Sequence, residues 1–196
     1  MIKIKNLVKE GNRELLYFCL PKSGIVNVKS RKAYLRTVSK RWFRKFMAFD
    51  KETPVAQVEC VPIEHAPFPI KGEQAIFINC MWISKEYRNQ DIGQKLLEMC
   101  INEYKKYNPQ GISLVALDDW LPWLQVSQFM KLGFMIADTK PTGIKYTGIK
   151  QQFEGREINA YLLFKPLSEE ATWPQFIEGQ KIRTKFCPGY PYLYEE

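Results

Sequence analysis

The chain has 196 residues, and its content of 45% hydrophobic and 14% aromatic residues is ample for a packed core. The longest apolar run, Ala75–Ile83, is too short to span a bilayer, and the first residues, MIKIKNLVKEGN, lack the apolar core of a signal peptide. We therefore expect a cytoplasmic protein with no membrane partner. The formal net charge of +8 favours anionic partners.

The first part of the chain predicts a helix between strands. We expect a first strand at Arg13–Leu20, a helix over Val26–Arg41, and two strands joined by a hairpin turn, Phe43–Asp50 and Val55–Pro62. Because Val55–Pro62 alternates apolar and polar residues, one of its faces is predicted to be exposed to water.

Basic residues are concentrated between Lys29 and Lys45, where no acidic residue occurs. Three interpretations remain open: a solvated helix face, a site for an acidic substrate or for cofactor phosphates, and a nucleic-acid site. Apolar residues run through the stretch, and this favours an amphipathic helix followed by a strand over a nucleic-acid-binding arm. The apolar residues are Ala33, Leu35, Val38, Trp42, Phe43 and Phe46.

The central stretch of the sequence predicts a strand, a polar turn and a helix. Ala75–Ile83 is apolar apart from Asn79, which is typical of a strand covered on both faces. After the turn at Ser84–Asp91, apolar residues recur at helical spacing as far as Tyr107, and Gly93 lies in the first helical turn. The start of a helix offers unpaired N–H groups, and a glycine lets an anion approach them, so this unit can hold a pyrophosphate.

The remaining elements continue the alternation of strands and helices. Strands are predicted at Ile112–Leu117, Phe134–Thr139 and Ile158–Pro166, with a short helix near Trp123–Leu132. The turn residues in Lys140–Gly155 indicate a hairpin extension or a lid.

Two motifs resemble a known family. ISKEYRNQDIGQKLL is similar to the acetyl-CoA-binding signature of the GNAT N-acetyltransferases, in which Arg or Gln is followed by two residues, Gly, one residue, and Gly or Ala. Arg88 and Gly93 match the ends of that pattern, and Asp91 replaces its first glycine. FMKLGF (Phe129–Phe134) resembles the second marker of the family.

The resemblance covers Leu15 to Pro166. The run from Val58 to Phe176 is most similar to a subgroup in which such a domain precedes a thioredoxin-like tail. Here the chain ends too soon after Leu167 to build that tail. We expect a GNAT-like domain at residues 1–166 and an aromatic and proline-rich extension at 167–196 packed on it. A redox role for Cys187 is not favoured, because the second cysteine of the motif is missing.

The resemblance implies an α/β (α+β) fold with a mixed, mostly antiparallel central sheet flanked by helices. It implies acetyl-CoA as co-substrate, lying between the strands at Asn79–Ile83 and Ile112–Leu117. The implied contacts with the pantetheine arm come from the backbone of Met81, Trp82 and Ile83. Those with the pyrophosphate come from Arg88, Asn89, Gln90, Asp91, Ile92, Gly93, Gln94 and Lys95.

Asp91 has two interpretations. It can cap the helix, with Gln94 completing a capping box, and then its carboxylate occupies the place of a phosphate. It can also turn outward and leave the N–H groups of the helix start open.

Direct attack by an amine needs a base for the ammonium proton and an acid for the leaving thiolate. Glu59 is the first candidate for the base, and Glu64 and His65 are alternatives in the following loop. Asn79 is predicted to bind substrate or to order a water molecule. Many GNAT enzymes have a tyrosine where this chain has Phe129, so Ser127 is the nearest candidate for the acid.

Trp120 and Trp123, with Phe68, either line an acceptor pocket or pack in the core. No metal site is expected, because the chain has a single histidine and no Cys-x-x-Cys pair. Cys60, Cys80 and Cys100 lie in apolar patterns and are predicted to be buried thiols. Cys19 has no predicted role.

The sequence thus predicts an N-acetyltransferase that moves an acetyl group from acetyl-CoA to a primary amine of a small molecule or peptide, as a monomer or homodimer. The alternatives are an inactive acyl-CoA-binding module that serves as a sensor or scaffold and, less favoured, a basic nucleic-acid-binding protein.

Overall fold

The computed structural model describes residues 1–11, 13–16, 18–20, 25–26, 29–38, 42–121, 124–148 and 150–183. The strands are β1 (Ile2–Asn6), β2 (Phe18–Leu20), β3 (Ile25–Val26), β4 (Arg44–Asp50), β5 (Thr53–Pro62), β6 (Ile70–Lys71), β7 (Ala75–Ile83), β8 (Gly111–Leu117), β9 (Met135–Lys145), β10 (Glu157–Pro166) and β11 (Gln175–Phe176). The helices are α1 (Arg13–Leu16), α2 (Lys29–Thr37), α3 (Ile92–Tyr104) and α4 (Val126–Met130). Short 3-10 turns occur at Ile63–His65, Lys85–Tyr87, Lys105–Tyr107 and Gln151–Phe153.

The principal sheet has seven strands in the order β1-β4-β5-β7-β8-β10-β9. Its neighbours are antiparallel except β7 and β8, which are parallel. This mixed, mostly antiparallel sheet flanked by helices is the predicted fold class. Two pairs of short strands lie outside it, β2 with β3 and β6 with β11.

Two apolar clusters cover the faces of the sheet. On one face α3 and α4 pack on the central strands, with Leu96, Cys100 and Phe129 in the buried cluster. On the other face the cluster includes Phe77 and Val115, and α2 packs against it through Tyr34 and Leu35. Both sides of β7 are therefore buried along its first part, as its apolar sequence predicts.

The prediction of a first strand at Arg13–Leu20 is wrong: the first strand lies earlier in the chain, and part of this segment is helical. Residues Arg13–Leu16 form α1, and only Phe18–Leu20 is extended. The first strand of the principal sheet is Ile2–Asn6, which pairs with β4 and places Ile2 and Ile4 against the α3-side cluster. Apolar and basic residues alternate in this segment, and that pattern indicates a strand with only one side against the core.

The exposed face predicted for Val55–Pro62 is also wrong. Gln57 and Glu59, the polar residues of that alternation, are both fully buried. The strand lies inside the sheet, and Lys45 and Cys80 from its two neighbours supply polar contacts at 2.8 Å and 3.6 Å. A buried polar side chain is tolerated when it is hydrogen-bonded or paired, so alternation here does not mark a surface.

Other predicted elements agree with the structure in type, with different bounds. The helix predicted over Val26–Arg41 is observed at Lys29–Thr37, and its predicted first residue, Val26, belongs to the strand β3 instead. The short helix near Trp123–Leu132 is observed at Val126–Met130. The segment predicted as a hairpin extension or lid is a hairpin, since β9 continues to Lys145 and pairs with β10.

The segment after β10 packs on the sheet through aromatic and aliphatic side chains. The rings of Trp173 and Phe164 lie 5.4 Å apart, and Phe176 and Ile182 are buried. Cys60, Cys80 and Cys100 are buried, as predicted, whereas Cys187 lies outside the described residues. In the described part of the chain, no helix is both long enough and apolar enough to cross a bilayer.

Candidate active site

The sheet opens into a cleft between β7 and β8. The two strands pair in parallel only from Ala75–Gly111 to Phe77–Ser113. Beyond that point β7 continues to Ile83 on the side of β5, and β8 continues to Leu117 on the side of β10. Two strand edges therefore face each other with their ladder interrupted. The Leu117 N–H at the end of β8 donates to the Leu124 carbonyl at 2.8 Å, and the edge of β7 from Asn79 onward is the one that an extended molecule can pair with.

A bulge at Asn79 lies just past the point of separation. Glu59 pairs with Cys80 and Cys60 pairs with Ile78, so Asn79 is the extra residue on β7. Its amide Nδ2 donates a hydrogen bond of 3.2 Å to the Tyr34 hydroxyl. Its Oδ1 is buried and has no hydrogen-bond partner among the described residues. A bulge re-aims a side chain, and here it directs an acceptor oxygen to the side of the sheet that α2 covers.

The segment from Ser84 to Asp91 joins β7 to α3 and has two left-handed residues, Asn89 (φ 60°) and Asp91 (φ 56°). Asn and Asp tolerate this conformation better than other residues with a Cβ. The Asp91 side chain is exposed and makes no capping hydrogen bond to α3. The first N–H groups of the helix are thus left without a side-chain cap.

Of the two interpretations of Asp91, the capping box is therefore wrong, and the outward side chain agrees with the structure. The Gln94 amide donates to the Glu98 carboxylate at 3.0 Å, one turn further along α3, and therefore does not reach back to the helix start. Gly93 is buried where α3 meets β7. A Cβ on Gly93 would lie 3.1 Å from Ile83 Cδ1 and 3.2 Å from Met81 Cε, so both side-chain ends would have to shift to admit even a small side chain.

The other predicted cofactor residues surround this turn. Met81 and Ile83 pack against the α3-side cluster, and Trp82, which pairs with Gln57, is half-buried. Arg88 is exposed, and its Nε donates to the Ile83 carbonyl at 3.3 Å. Gln90 donates to the Glu86 carbonyl at 3.0 Å. Ile92 is buried, whereas Asn89, Gln94 and Lys95 are exposed. The structure therefore places Met81 to Lys95 along one strand-turn-helix unit.

Glu59 lies next to the bulge but is held by another side chain. Its carboxylate accepts from Lys45 Nζ at 2.8 Å, and both side chains are 0% exposed. The ion pair links β4 to β5 inside the sheet. A carboxylate whose charge is paired in this way is a poor proton acceptor, so the pair counts against Glu59 as the general base.

Ser127 and Phe129 lie on α4. Ser127 is half-buried, and its backbone N–H donates to the Asp119 carboxylate at 2.9 Å. Phe129 is buried and packs edge-on against Phe134, with ring centroids 6.1 Å apart. Phe129 is thus a core residue and supplies no proton donor.

The end of β8 carries a polar cluster that the sequence did not single out. Asp118 is 6% exposed and accepts from the Asn159 N–H at 2.7 Å and from the Tyr161 hydroxyl at 2.9 Å. Burial, and then the hydrogen bond to Asp118, raise the pKa of Tyr161 to about 12. Asp118 is the first carboxylate after a buried strand, and that position in the sequence is the feature that could have predicted the cluster.

Trp120 follows Asp118 and belongs to an aromatic group. Its ring lies 5.3 Å from Tyr146 and 4.9 Å from Phe153. Its Nε1 is buried and lacks a hydrogen-bond partner among the described residues. Phe68 is instead packed against Phe77 in the core, and Trp123 lies outside the described residues.

Glu64 and His65 lie at the far end of β5. The Glu64 carboxylate accepts from the Gln74 N–H at 3.1 Å. The His65 carbonyl accepts from the Tyr34 hydroxyl at 2.7 Å. Tyr34 thereby connects this turn to Asn79, a link that sequence reasoning missed because Tyr34 lies within the basic stretch. Within the described residues, no three His, Cys, Asp or Glu side chains are grouped so that they could hold a metal ion.

Comparison with known proteins identifies relatives of the chain. The model of the acetyltransferase (GNAT) family matches residues 13–134. The uncharacterized N-acetyltransferase YoaP of Bacillus subtilis (strain 168) is 33% identical over 82 residues, which are 41% of this chain and 33% of that relative. The match thus spans about a third of the relative's length.

Solved structures resemble the fold at low sequence identity. The IAA acetyltransferase from Bacillus cereus ATCC 14579 has a TM-score of 0.54 and 16% identity, over 85% of this chain and 100% of the other. A GNAT family acetyltransferase from Elizabethkingia anophelis, with acetyl-CoA bound, has a TM-score of 0.53 and 15% identity, over 85% of this chain and 98% of the other. At these identities the likeness shows a shared fold.

Proposed function

As the chain belongs to the acetyltransferase (GNAT) family, we propose that it transfers an acetyl group from acetyl-CoA to a primary amine of a small molecule or peptide. The supporting observation is the cleft between β7 and β8, which is followed directly by the uncapped start of α3. An extended thioester arm fits the first, and a pyrophosphate fits the second. We assign this activity to residues 1–166 and treat 167–196 as an extension of the same unit.

In this proposal the backbone of Met81, Trp82 and Ile83 pairs with the pantetheine arm as an added strand would. The N–H groups at the start of α3 bind the pyrophosphate, with positive charge from Arg88 and Lys95 nearby. Gly93 lets the start of α3 lie close against Met81 and Ile83, where a side chain would be crowded. A similar fold binds acetyl-CoA in the Elizabethkingia protein, which supports this use of the cleft.

Asn79 is the residue that we assign to the acceptor. Its buried Oδ1 requires a donor, and either the ammonium of an amine or an ordered water molecule supplies one. After the ammonium has given up a proton to water, the neutral amine attacks the thioester carbon, and the C–S bond breaks to release the thiolate. The rate of this step depends largely on how the two reactants are positioned. The thiolate that leaves is stable near neutral pH, so the reaction does not require an acid at the position of Phe129.

A second candidate is an acyl-CoA-binding module without catalytic activity. It is favoured by one observation, that the first base candidate, Glu59, is paired with Lys45 in the core. Both candidates require the cofactor site, and they differ only in turnover.

Calorimetric titration with acetyl-CoA tests the cofactor site. We expect binding in the micromolar range by the natural chain and loss of binding in Gly93→Glu, which places a large anionic side chain against Met81 and Ile83. The matched control is Asn102→Glu, which adds the same charge at an exposed position further along α3. Absence of binding by the natural chain would refute both candidates. Binding without acetylation of a panel of amines would favour the binding module.

A further inference from the structure

A second cavity lies away from the cleft. Its volume is about 290 Å³, which suits a small ligand. It is formed where the end of α3 meets the beginning of β7, with Tyr104 and Tyr107 on one side and Gln74 on the other. The cleft lies beyond the point at which β7 and β8 separate, towards the other end of β7. The cavity is therefore not part of the proposed acetyl-transfer site.

Aromatic rings form the walls of this cavity. The rings of Trp42 and Tyr107 lie 5.1 Å apart with an interplanar angle of 55°. The ring of His65 lies 6.0 Å from Trp42, and the ring of Tyr104 lies 6.0 Å from Tyr107. Rings inclined to one another in this way present their faces and edges around a common space, as in sites that bind alkylated ammonium groups.

Tyr104 contributes its ring and not its hydroxyl. The hydroxyl is within hydrogen-bonding distance of the Trp42 carbonyl and lies 3.2 Å from the Cys60 carbonyl. Burial raises the pKa of Tyr104 far above its ordinary value, so the residue remains neutral. The floor of the cavity is therefore an uncharged aromatic surface.

The charge of the lining comes from Glu64. Among the described residues that line the cavity, it is the one of the Asp, Glu, Lys and Arg types. Its carboxylate is fixed by the Gln74 N–H at 3.1 Å. Nearby cations already approach the same rings, with Lys106 Nζ 4.9 Å from the centre of Tyr107 and Arg44 Cζ 5.9 Å from the centre of Tyr104. Aromatic faces beside a carboxylate attract a cation and not an anion.

We propose that this cavity, lined by Trp42, His65, Tyr104, Tyr107, Glu64 and Gln74, binds a small organic cation that carries an alkylated ammonium group. The rings contact its methyl groups, and Glu64 balances its charge. The site is independent of the proposed acetyl transfer, and its test does not use acetyl-CoA.

The test compares choline with 3,3-dimethyl-1-butanol, which has the same shape and no charge. Binding to the full chain is followed by NMR titration of the ligand methyl signal. We expect choline to bind at least about tenfold more tightly than the neutral alcohol, because the difference reports the cation–π and carboxylate contributions. Equal affinity for the two ligands, or no binding of choline at tens of millimolar, would overturn the proposal.

Variants then locate the binding. Glu64→Gln and Tyr107→Leu are each expected to weaken choline binding about tenfold. Glu73→Gln removes the same charge from an exposed neighbour outside the lining and is the matched control. Lys106→Gln is expected to strengthen binding, since it removes a competing cation from Tyr107. Thermal unfolding of each variant shows whether it is folded. Unchanged affinity in both folded lining variants would place choline elsewhere and contradict the assignment.

Discussion

The side-chain amide of Asn79 donates a 3.2 Å hydrogen bond to the hydroxyl of Tyr34, and that hydroxyl donates to the carbonyl of His65 at 2.7 Å. This chain of contacts joins the bulge on β7, the helix α2 and the turn after β5. It fixes the orientation of Asn79 while its buried Oδ1 has no hydrogen-bond partner among the described residues. An acceptor atom held in this way costs stability until a ligand donates to it.

The first prediction follows from that oxygen. Asn79→Leu keeps the branched shape of the side chain and removes the buried Oδ1, but its methyl groups are larger than the amide atoms, so we expect its free energy of unfolding to change by less than about 2 kcal/mol. Turnover should fall about tenfold or more, because the group that orients the amine is lost. Urea unfolding and initial rates with acetyl-CoA measure the two quantities.

Tyr34→Phe provides the comparison. It removes the hydroxyl that Asn79 and His65 share but keeps Oδ1, so stability should fall by about 1 kcal/mol. A large loss of stability together with unchanged turnover in Asn79→Leu would show that Asn79 is structural.

The second prediction concerns the buried ion pair between Lys45 and Glu59. Lys45→Met and Glu59→Leu each leave one charge buried without the other, and each should lower the free energy of unfolding by about 3–5 kcal/mol. The double variant should be considerably more stable than either single variant, because no charge remains buried. A double-mutant cycle from urea denaturation measures this coupling.

Lys5→Met is the matched control, because Lys5 meets Glu10 at 4.0 Å with side chains that are 41% and 47% exposed. It should change stability by less than about 1 kcal/mol. Additive effects of the two core substitutions would contradict the prediction.

The sequence predicted the elements in which apolar residues follow a clear pattern. The continuous apolar run of β7 and the helical spacing of α3 define elements that the structure reproduces, because burial on both faces or on one stripe leaves a clear pattern. The family resemblance then implied a mixed, mostly antiparallel sheet flanked by helices. Together they located the strand-turn-helix unit around Gly93.

The sequence failed where polar residues are buried. The alternation in β5 predicted a face exposed to water, but Glu59 and Gln57 contact Lys45 and Cys80 on the neighbouring strands, which the pattern of a single strand cannot reveal. Tyr34 and Asn79 are 45 residues apart, and only the packing of α2 on the sheet brings them together. The position of Glu59 in the sequence makes it a candidate base, and only the structure shows that Lys45 pairs with its carboxylate.

The third prediction concerns Asp91, the residue that replaces the first glycine of the resembled signature. Its backbone is left-handed (φ 56°), a conformation in which glycine has no steric cost. Asp91→Gly should raise stability by up to about 1 kcal/mol and should tighten acetyl-CoA binding, since it removes a negative charge from beside the proposed pyrophosphate site. Calorimetric titration at two salt concentrations measures the affinity and its electrostatic part.

Asp91→Asn separates the two effects, because it keeps the side-chain shape and removes the charge. We expect tighter binding in both variants and a stability gain only in Asp91→Gly. Weaker binding in both would mean that the carboxylate serves the site, for example by holding Arg88 or Lys95 in position.

The fourth prediction concerns pH and Glu103. Partial burial acts to raise the pKa of this carboxyl, but hydrogen bonds and charges from Lys9 and Arg44, both at 2.8 Å, lower it below its ordinary value. A carboxylate whose pKa is lower in the folded state stabilises the fold above its unfolded pKa of about 4.3 and loses that contribution as the pH falls through the folded value. Glu103→Gln should therefore be less stable than the natural chain near neutral pH, and the difference should shrink below about pH 4. Urea unfolding at a series of pH values measures this difference.

Glu98→Gln on the same helix is the control, since Glu98 is exposed and contacts the uncharged Gln94. If the stability difference for Glu103→Gln instead grew as the pH fell, Lys9 and Arg44 would not be stabilising the ionised form.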